Sequence, residues 1–198
     1  MPMNRRLFLA SLILLCCMTA LAQRPGPQFR RPLACEPLEP RTKLEELDWR
    51  YERVLLKGFT QVAVLGARGA EIRVDAVELR DTGTATRVTG LVIALRETGE
   101  NPHENRSWID YEEIDRLLKG IDAVSRVSEA STKLASFEAR YRTLGDLEIN
   151  VFRQSRSGAA ASVTSGTCDR VSGTLTLDEL DRLRAYIVEA KTRLDEIK

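Results

Sequence analysis

Ile109-Asp110-Tyr111-Glu112-Glu113-Ile114-Asp115-Arg116-Leu117 and Leu175-Thr176-Leu177-Asp178-Glu179-Leu180-Asp181-Arg182-Leu183 align without a gap at a spacing of 66 residues. Glu113 matches Glu179, Asp115 matches Asp181, Arg116 matches Arg182, Leu117 matches Leu183, and further on Ile121 matches Ile187. Each stretch reads as the end of a strand followed by a capped helix. Asp110 or Thr176 stands at the N-cap, where its side chain accepts a backbone N–H. Glu113 or Glu179 then reaches back to the cap's own N–H. The acids of the first turn suit the positive end of the helix dipole. Apolar residues continue at steps of three and four. They are Ile114, Leu117, Ile121 and Val124 in the first helix, and Leu180, Leu183, Ile187, Ala190, Leu194 and Ile197 in the second. Such a stripe lies on a sheet or against another helix.

The residues before each helix alternate as strands do. In the first block, Tyr51–Leu56 and Thr60–Leu65 flank Gly58, where a bulge is expected. Glu71–Ala76 alternates cleanly. Its phase slips at Val77 and continues through Leu79, as a second bulge would require. Arg87–Arg96 and Ser107–Ile109 complete the block. In the second block the strands are Phe137–Arg142, Leu147–Val151, Ala159–Thr164 and Arg170–Leu175, with Gly145-Asp146 as a hairpin turn between the first pair. The fold expected is therefore α+β: two pseudo-repeats, about 49–132 and 134–198, each of antiparallel strands followed by one capped amphipathic helix (ββββα twice).

Four strands and a helix, repeated, resemble the topology of Whirly-type single-stranded-nucleic-acid-binding domains. The resemblance covers roughly residues 50–197 and consists of layout and strand–cap–helix junctions. It implies a fold and assigns no functional residue, because no Whirly signature sequence is present.

Ahead of the repeats the chain changes character. Arg5-Arg6 precede the apolar run Leu7–Met18, and Ala20-Leu21-Ala22 forms an A-x-A cleavage pattern before Gln23. This reads as a signal peptide over residues 1–22, which places the mature protein in the periplasm or outside the cell. Arg5-Arg6-Leu7-Phe8-Leu9 also resembles a twin-arginine core, although the strongly apolar run fits the general secretory route better. After cleavage no membrane span is expected. Residues 23–41 carry Pro25, Pro27, Pro32, Pro37 and Pro40 and form a proline-rich linker. Thr42-Lys43-Leu44-Glu45 is a capping box that opens a short helix to about Asp48. Residues 42–198 are then a single α+β domain.

Composition narrows function more than it defines it. The chain holds 30 basic and 29 acidic residues. Losing Arg5 and Arg6 leaves 28 against 29, a net charge of −1. No global basic field attracts nucleic acid, and with the export signal this argues against transferring nucleic-acid binding from the resemblance. His103 is the one histidine, and it sits in a polar loop. A serine-histidine hydrolase would need it, yet no G-x-S-x-G elbow is present. The remaining routes to a hydrolase are a carboxylate pair or Cys168 as nucleophile. No motif points to a metal or cofactor. The leading reading is a non-catalytic binding or interaction module, its partner another protein or a component of the cell envelope. Arg140, Arg142, Phe152 and Arg153 offer an arginine-aromatic surface for such a partner.

Signal cleavage leaves two cysteines, Cys35 and Cys168, and an oxidising compartment makes them a candidate disulfide. Closing so long a loop contributes on the order of 5 kcal/mol in the chain-entropy description. The exported protein is expected to have the intact mass of a chain beginning at Gln23. Non-reducing peptide mapping is expected to recover the Cys35 and Cys168 peptides linked. A mass that still includes Leu7–Met18, or two alkylatable thiols, would refute these expectations in turn.

Overall fold

The computed structural model describes residues 39–153 and 158–198. A short helix, α1 (Lys43–Asp48), is followed by β1 (Leu55–Ala67), β2 (Ala70–Asp81), β3 (Arg87–Glu97) and β4 (Glu104–Asp110). A 3-10 turn, Tyr111–Glu113, leads into α2 (Ile114–Ser125). The second unit consists of β5 (Glu138–Arg142), β6 (Leu147–Arg153), β7 (Ala159–Ser165), β8 (Val171–Leu175) and α3 (Leu177–Asp195). Each set of four strands is one antiparallel sheet with its strands in chain order. The architecture is the expected α+β arrangement of two ββββα units. The first sheet is built from longer strands, with 13 residues in β1 against 5 in β5.

The helices are exchanged between the units. α3 lies chiefly on β2, with β1 and β3 beside it, whereas α2 lies on β5 and β6. Leu180, Leu183 and Ile187 thus share one core with Ile72, Leu91 and Ile93, and Ile114, Leu117 and Ile121 share it with Ile149 and Val151. The two helices pack against each other in antiparallel sense. Lys191 pairs with Asp115 at 2.6 Å, and one heptad along α2 Arg184 grips Asp122 through two contacts, one of them 3.0 Å. Every residue of the two expected stripes is buried except Ile197, which lies beyond the end of α3 and is 46% exposed.

The sheets are also stitched at their ends. Arg68, in the two-residue β1–β2 turn, exchanges backbone hydrogen bonds of 2.9 and 3.0 Å with Thr174 of β8. Trp108 of β4 bridges to Gly145 in the β5–β6 turn. A Cβ on Gly145 would stand 1.8 Å from the Trp108 carbonyl oxygen, so this contact requires glycine. Between the two stitches the buried Ser107 and Ser165 hydroxyls meet at 2.8 Å.

Local expectations were met where the partners are local. Thr42 with Glu45 and Thr176 with Glu179 form complete capping boxes. The bulges fall elsewhere. β2 runs in unbroken register with β3 through Val77, and β1 passes through Gly58 in register and is bulged at Val62 instead. The phase change at Val77 has another cause. Ile72, Val74 and Ala76 face the shared core, whereas Val77 and Leu79 face the opposite side, where α1 lays Leu44 and Leu47 over them. One strand is simply covered on both faces.

If the stripe carries the fold, Leu183→Ala, at a side chain with no exposed surface, should lower unfolding free energy by about 2–5 kcal/mol. Ile197→Ala should change it by less than about 0.5 kcal/mol. Urea titration followed by circular dichroism measures both values.

Candidate functional site

The second sheet places three of the four surface residues together. Arg140 and Arg142 of β5 stand on its outer face, across from Asn150 and Glu148, and Phe152 shares that face. Arg153 points the other way and is tied to the Ala135 carbonyl at 2.9 Å and to Glu129 at 3.2 Å. The guanidiniums of this face are engaged within the protein. Glu148, 7% exposed, is bound by Arg170 at 2.9 Å with Arg140 at 4.0 Å, and Arg142 holds Asp146 at 2.6 Å.

A second location comes from the divergence of the repeats. Asp110 does not cap the helix that follows it. Its carboxylate accepts the N–H groups of Lys43 and Leu44, at 2.8 and 3.1 Å, at the start of α1. Glu113 does not reach back to its cap. Its Oε1 accepts the Leu144 N–H at 2.9 Å, and its Oε2 has no partner, although the residue is 4% exposed. Two depressions, of about 340 and 410 Å³, meet over this carboxyl and share Arg41, Glu113, Arg116 and Leu144. Burial raises the Glu113 carboxyl above its ordinary pKa, and the Leu144 N–H and the charge of Arg116 only partly oppose the shift.

A third surface is β1 itself. It is an edge strand, and among the described residues no element pairs with its outer side. Val54 just before it, and Leu56 and Phe59 within it, are 71, 59 and 69% exposed. Leu56 lies on one face and Phe59 on the other. Beside Phe59 a cleft of about 230 Å³ is lined by Lys57, Arg73, Asp75, Val77 and Arg106. Lys57 Nζ sits 4.6 Å from the Trp108 ring centroid. Arg73 is paired with Asp75 at 3.0 Å, and Arg106 with Glu104 at 2.8 Å.

These surfaces supply little chemistry. His103 is exposed in the β3–β4 connection. Among the described residues no group of three or more His, Cys, Asp or Glu side chains converges to hold a metal ion. No helix among them is long and apolar enough to cross a membrane. Cys168, in the β7–β8 turn, is disulfide-bonded and offers no thiolate for nucleophilic attack. Cys35 lies outside the described residues, as do the signal peptide and the prolines up to Pro37. Of the three surfaces, alternation in the sequence exposed the first alone. The openness of β1 and the diversion of Glu113 depend on contacts between distant segments. Comparison with family models, with curated proteins and with solved structures returns no match.

The Glu113 carboxyl has a consequence for stability. A carboxyl whose pKa is raised by folding favours the folded state below its unfolded value, and that contribution is lost as pH climbs through the folded value. Glu78, Asp115 and Asp122, held low by Arg87, Lys191 and Arg184, act in the opposite sense and lose their contribution as pH falls. Comparing Glu113→Gln with the parent protein isolates the first effect. Between about pH 4 and pH 8 the variant should gain stability relative to the parent. Thermal midpoints across that range measure this, and a constant difference would show that Glu113 titrates normally.

Proposed function

We propose that the chain is an exported, non-catalytic interaction module that takes an extended segment of a partner protein alongside β1. The observation that carries the reading is the open edge of β1, which has apolar side chains exposed on both faces. An unpaired edge offers a row of backbone donors and acceptors to any extended chain. Strand addition draws affinity from those hydrogen bonds and selectivity from pockets that receive alternate side chains. The cleft beside Phe59 is such a pocket on the outer face. Its apolar floor of Val77 and Val92 and the Lys57 ammonium suit an aromatic or acidic residue. Contiguous arginine and aromatic groups would favour single-stranded nucleic acid, but here Arg73 and Arg106 are already neutralised by Asp75 and Glu104.

Export through the signal peptide and a Cys35–Cys168 bridge belong to the same reading. Arg41 binds Asp146 at 2.7 Å, and the Thr167 hydroxyl binds the same carboxylate, so the chain approaches α1 close to the turn that holds Cys168. From Arg41 back to Cys35 the chain spans at most about 20 Å.

A display library of heptapeptides, panned on the immobilised protein, tests the binding reading. Alternating apolar sequences should be enriched, and Phe59→Lys should weaken their binding by at least about tenfold. Leu134→Lys, at an exposed leucine elsewhere, should leave binding unchanged. Absence of enrichment, or equal loss in both variants, would overturn the proposal. A dimer that Phe59→Lys dissociates would replace the partner by a second copy of the chain. Salt-dependent binding of a single-stranded oligonucleotide that Lys57→Ala abolishes would replace it by nucleic acid.

A further inference from the structure

We infer that β1 reads its partner segment in one direction and one register. The segment runs antiparallel to β1, with an aromatic residue opposite Phe59, an acidic residue opposite Lys57 and an aliphatic residue opposite Leu56. From the partner's N-terminal side the order is aromatic, any residue, acid, aliphatic. The inference rests on the strand-addition reading and adds the order of side chains that this reading leaves open.

The backbone sets the register. The Val54 carbonyl accepts the Thr82 N–H at 3.1 Å, so these two residues form a hydrogen-bonded pair. Along an antiparallel ladder such pairs alternate with non-hydrogen-bonded ones. Leu56, Gly58 and Thr60 therefore spend their N–H and C=O groups on β2, opposite Arg80, Glu78 and Ala76. Leu55, Lys57, Phe59 and Gln61 turn theirs toward the open edge. The row ends where the register slips at Val62. Lys57 and Phe59 also line the cleft, on the face they share. A partner residue hydrogen-bonded to either one sets its own side chain on that face, and the residue opposite Gly58 points to the other side.

Side chains set the order. Phe59 is 69% exposed, and an aromatic residue directly across completes a cross-strand pair. Lys57 is exposed and forms no ion pair among the described residues, whereas Arg73 and Arg106, the other cations of the cleft, are each paired. The Trp108 ring takes up one side of the Lys57 ammonium. An ammonium has three donors, so a carboxylate can still bind it. Leu56, 59% exposed on the opposite face, takes the aliphatic residue. Direction follows from the host sheet, whose strand pairs are all antiparallel, the more stable pairing per residue.

Hydrogen exchange on the full chain checks the backbone phase. The Lys57 and Phe59 amides should exchange at least about tenfold faster than those of Gly58 and Thr60. Two-dimensional NMR titration then uses a blocked heptapeptide with phenylalanine, threonine, glutamate and valine, in that order, between threonine flanks. It should protect the Lys57 and Phe59 amides and bind about fivefold more tightly than the reversed sequence. N-methylation of its phenylalanine or glutamate removes a hydrogen bond to the edge and should cost about tenfold, against less than about twofold at the threonine between them. Lys57→Glu should turn a preference for glutamate over lysine at that position, about threefold, into the reverse. Fast Gly58 and Thr60 amides, equal binding of the reversed peptide, N-methyl sensitivity confined to that threonine, or an unchanged preference in Lys57→Glu would overturn the register and order while strand addition stands. No binding by about 10 mM, or binding indifferent to every N-methyl group, would overturn strand addition and this inference with it.

Discussion

Each unit covers its sheet with the helix of the other, and this exchange constrains the rest of the molecule. A lone ββββα unit would leave a face of Ile72, Leu91, Ile93 and Leu95, or of Ile149 and Val151, without its cover. Burying one such side chain contributes about 1.5–3 kcal/mol, so separating the units would give up several such contributions at once. The antiparallel seam between α2 and α3 sets how far each helix reaches over the opposite sheet. The approach is close. A Cβ on Gly120 of α2 would meet the Tyr141 ring of β5 at 2.4 Å, so α2 lies on β5 only because that position has no side chain.

Within this frame the two strand–helix junctions have taken different roles. Thr176 and Glu179 spend their hydrogen bonds on the start of α3. Asp110 and Glu113 spend theirs on α1 and on the β5–β6 turn, joining segments 67 and 31 residues away. The same residue types thus serve as a local cap in one repeat and as a long-range tie in the other. The tie has a cost, because a carboxylate with two oxygens meets a backbone with one N–H to offer, and the second oxygen is buried without a donor. That imbalance separates the first junction from its counterpart. It leaves an incompletely satisfied acid near Arg116, whose counterpart Arg182 is paired with Glu179.

This division also marks what could be read from the sequence. Elements, helix stripes and the capping boxes at Thr42 and Thr176 depend on neighbours within a turn, and alternation or heptad spacing records them. The strand count of each unit was legible for the same reason. The reading failed where a distant segment decides. Val77 looks like a bulge only if one face of β2 is buried, and α1, some thirty residues earlier in the chain, buries the other. Asp110 has the signature of an N-cap, and nothing in its own window shows that the Lys43 and Leu44 amides arrive first. Strand order is invisible to periodicity, so β1 could not be recognised as an edge. Arg140 and Arg142 were legible as one face, whereas the acids that neutralise them, Glu148 and Asp146, could be assigned only once β6 was paired with β5.

Of the four sheet edges, one differs from the others. β4 is closed near its end by the Trp108–Gly145 bridge, and β8 by the Arg68–Thr174 bridge. β5 is short, and its outer face carries Glu138, Arg140 and Arg142, the usual guard against unwanted pairing. Among the described residues β1 is neither short nor bridged on its outer side. It is the longest strand, it has one lysine among Leu55–Gln61, and it exposes Leu56 on one side and Phe59 on the other. Its bulge at Val62 comes only after this stretch, so the backbone before it stays regular and able to pair. Among the described residues, three edges are protected and the longest and most apolar one is open. Under the proposed reading, the cost of the exposed edge is offset when a partner strand lies along it.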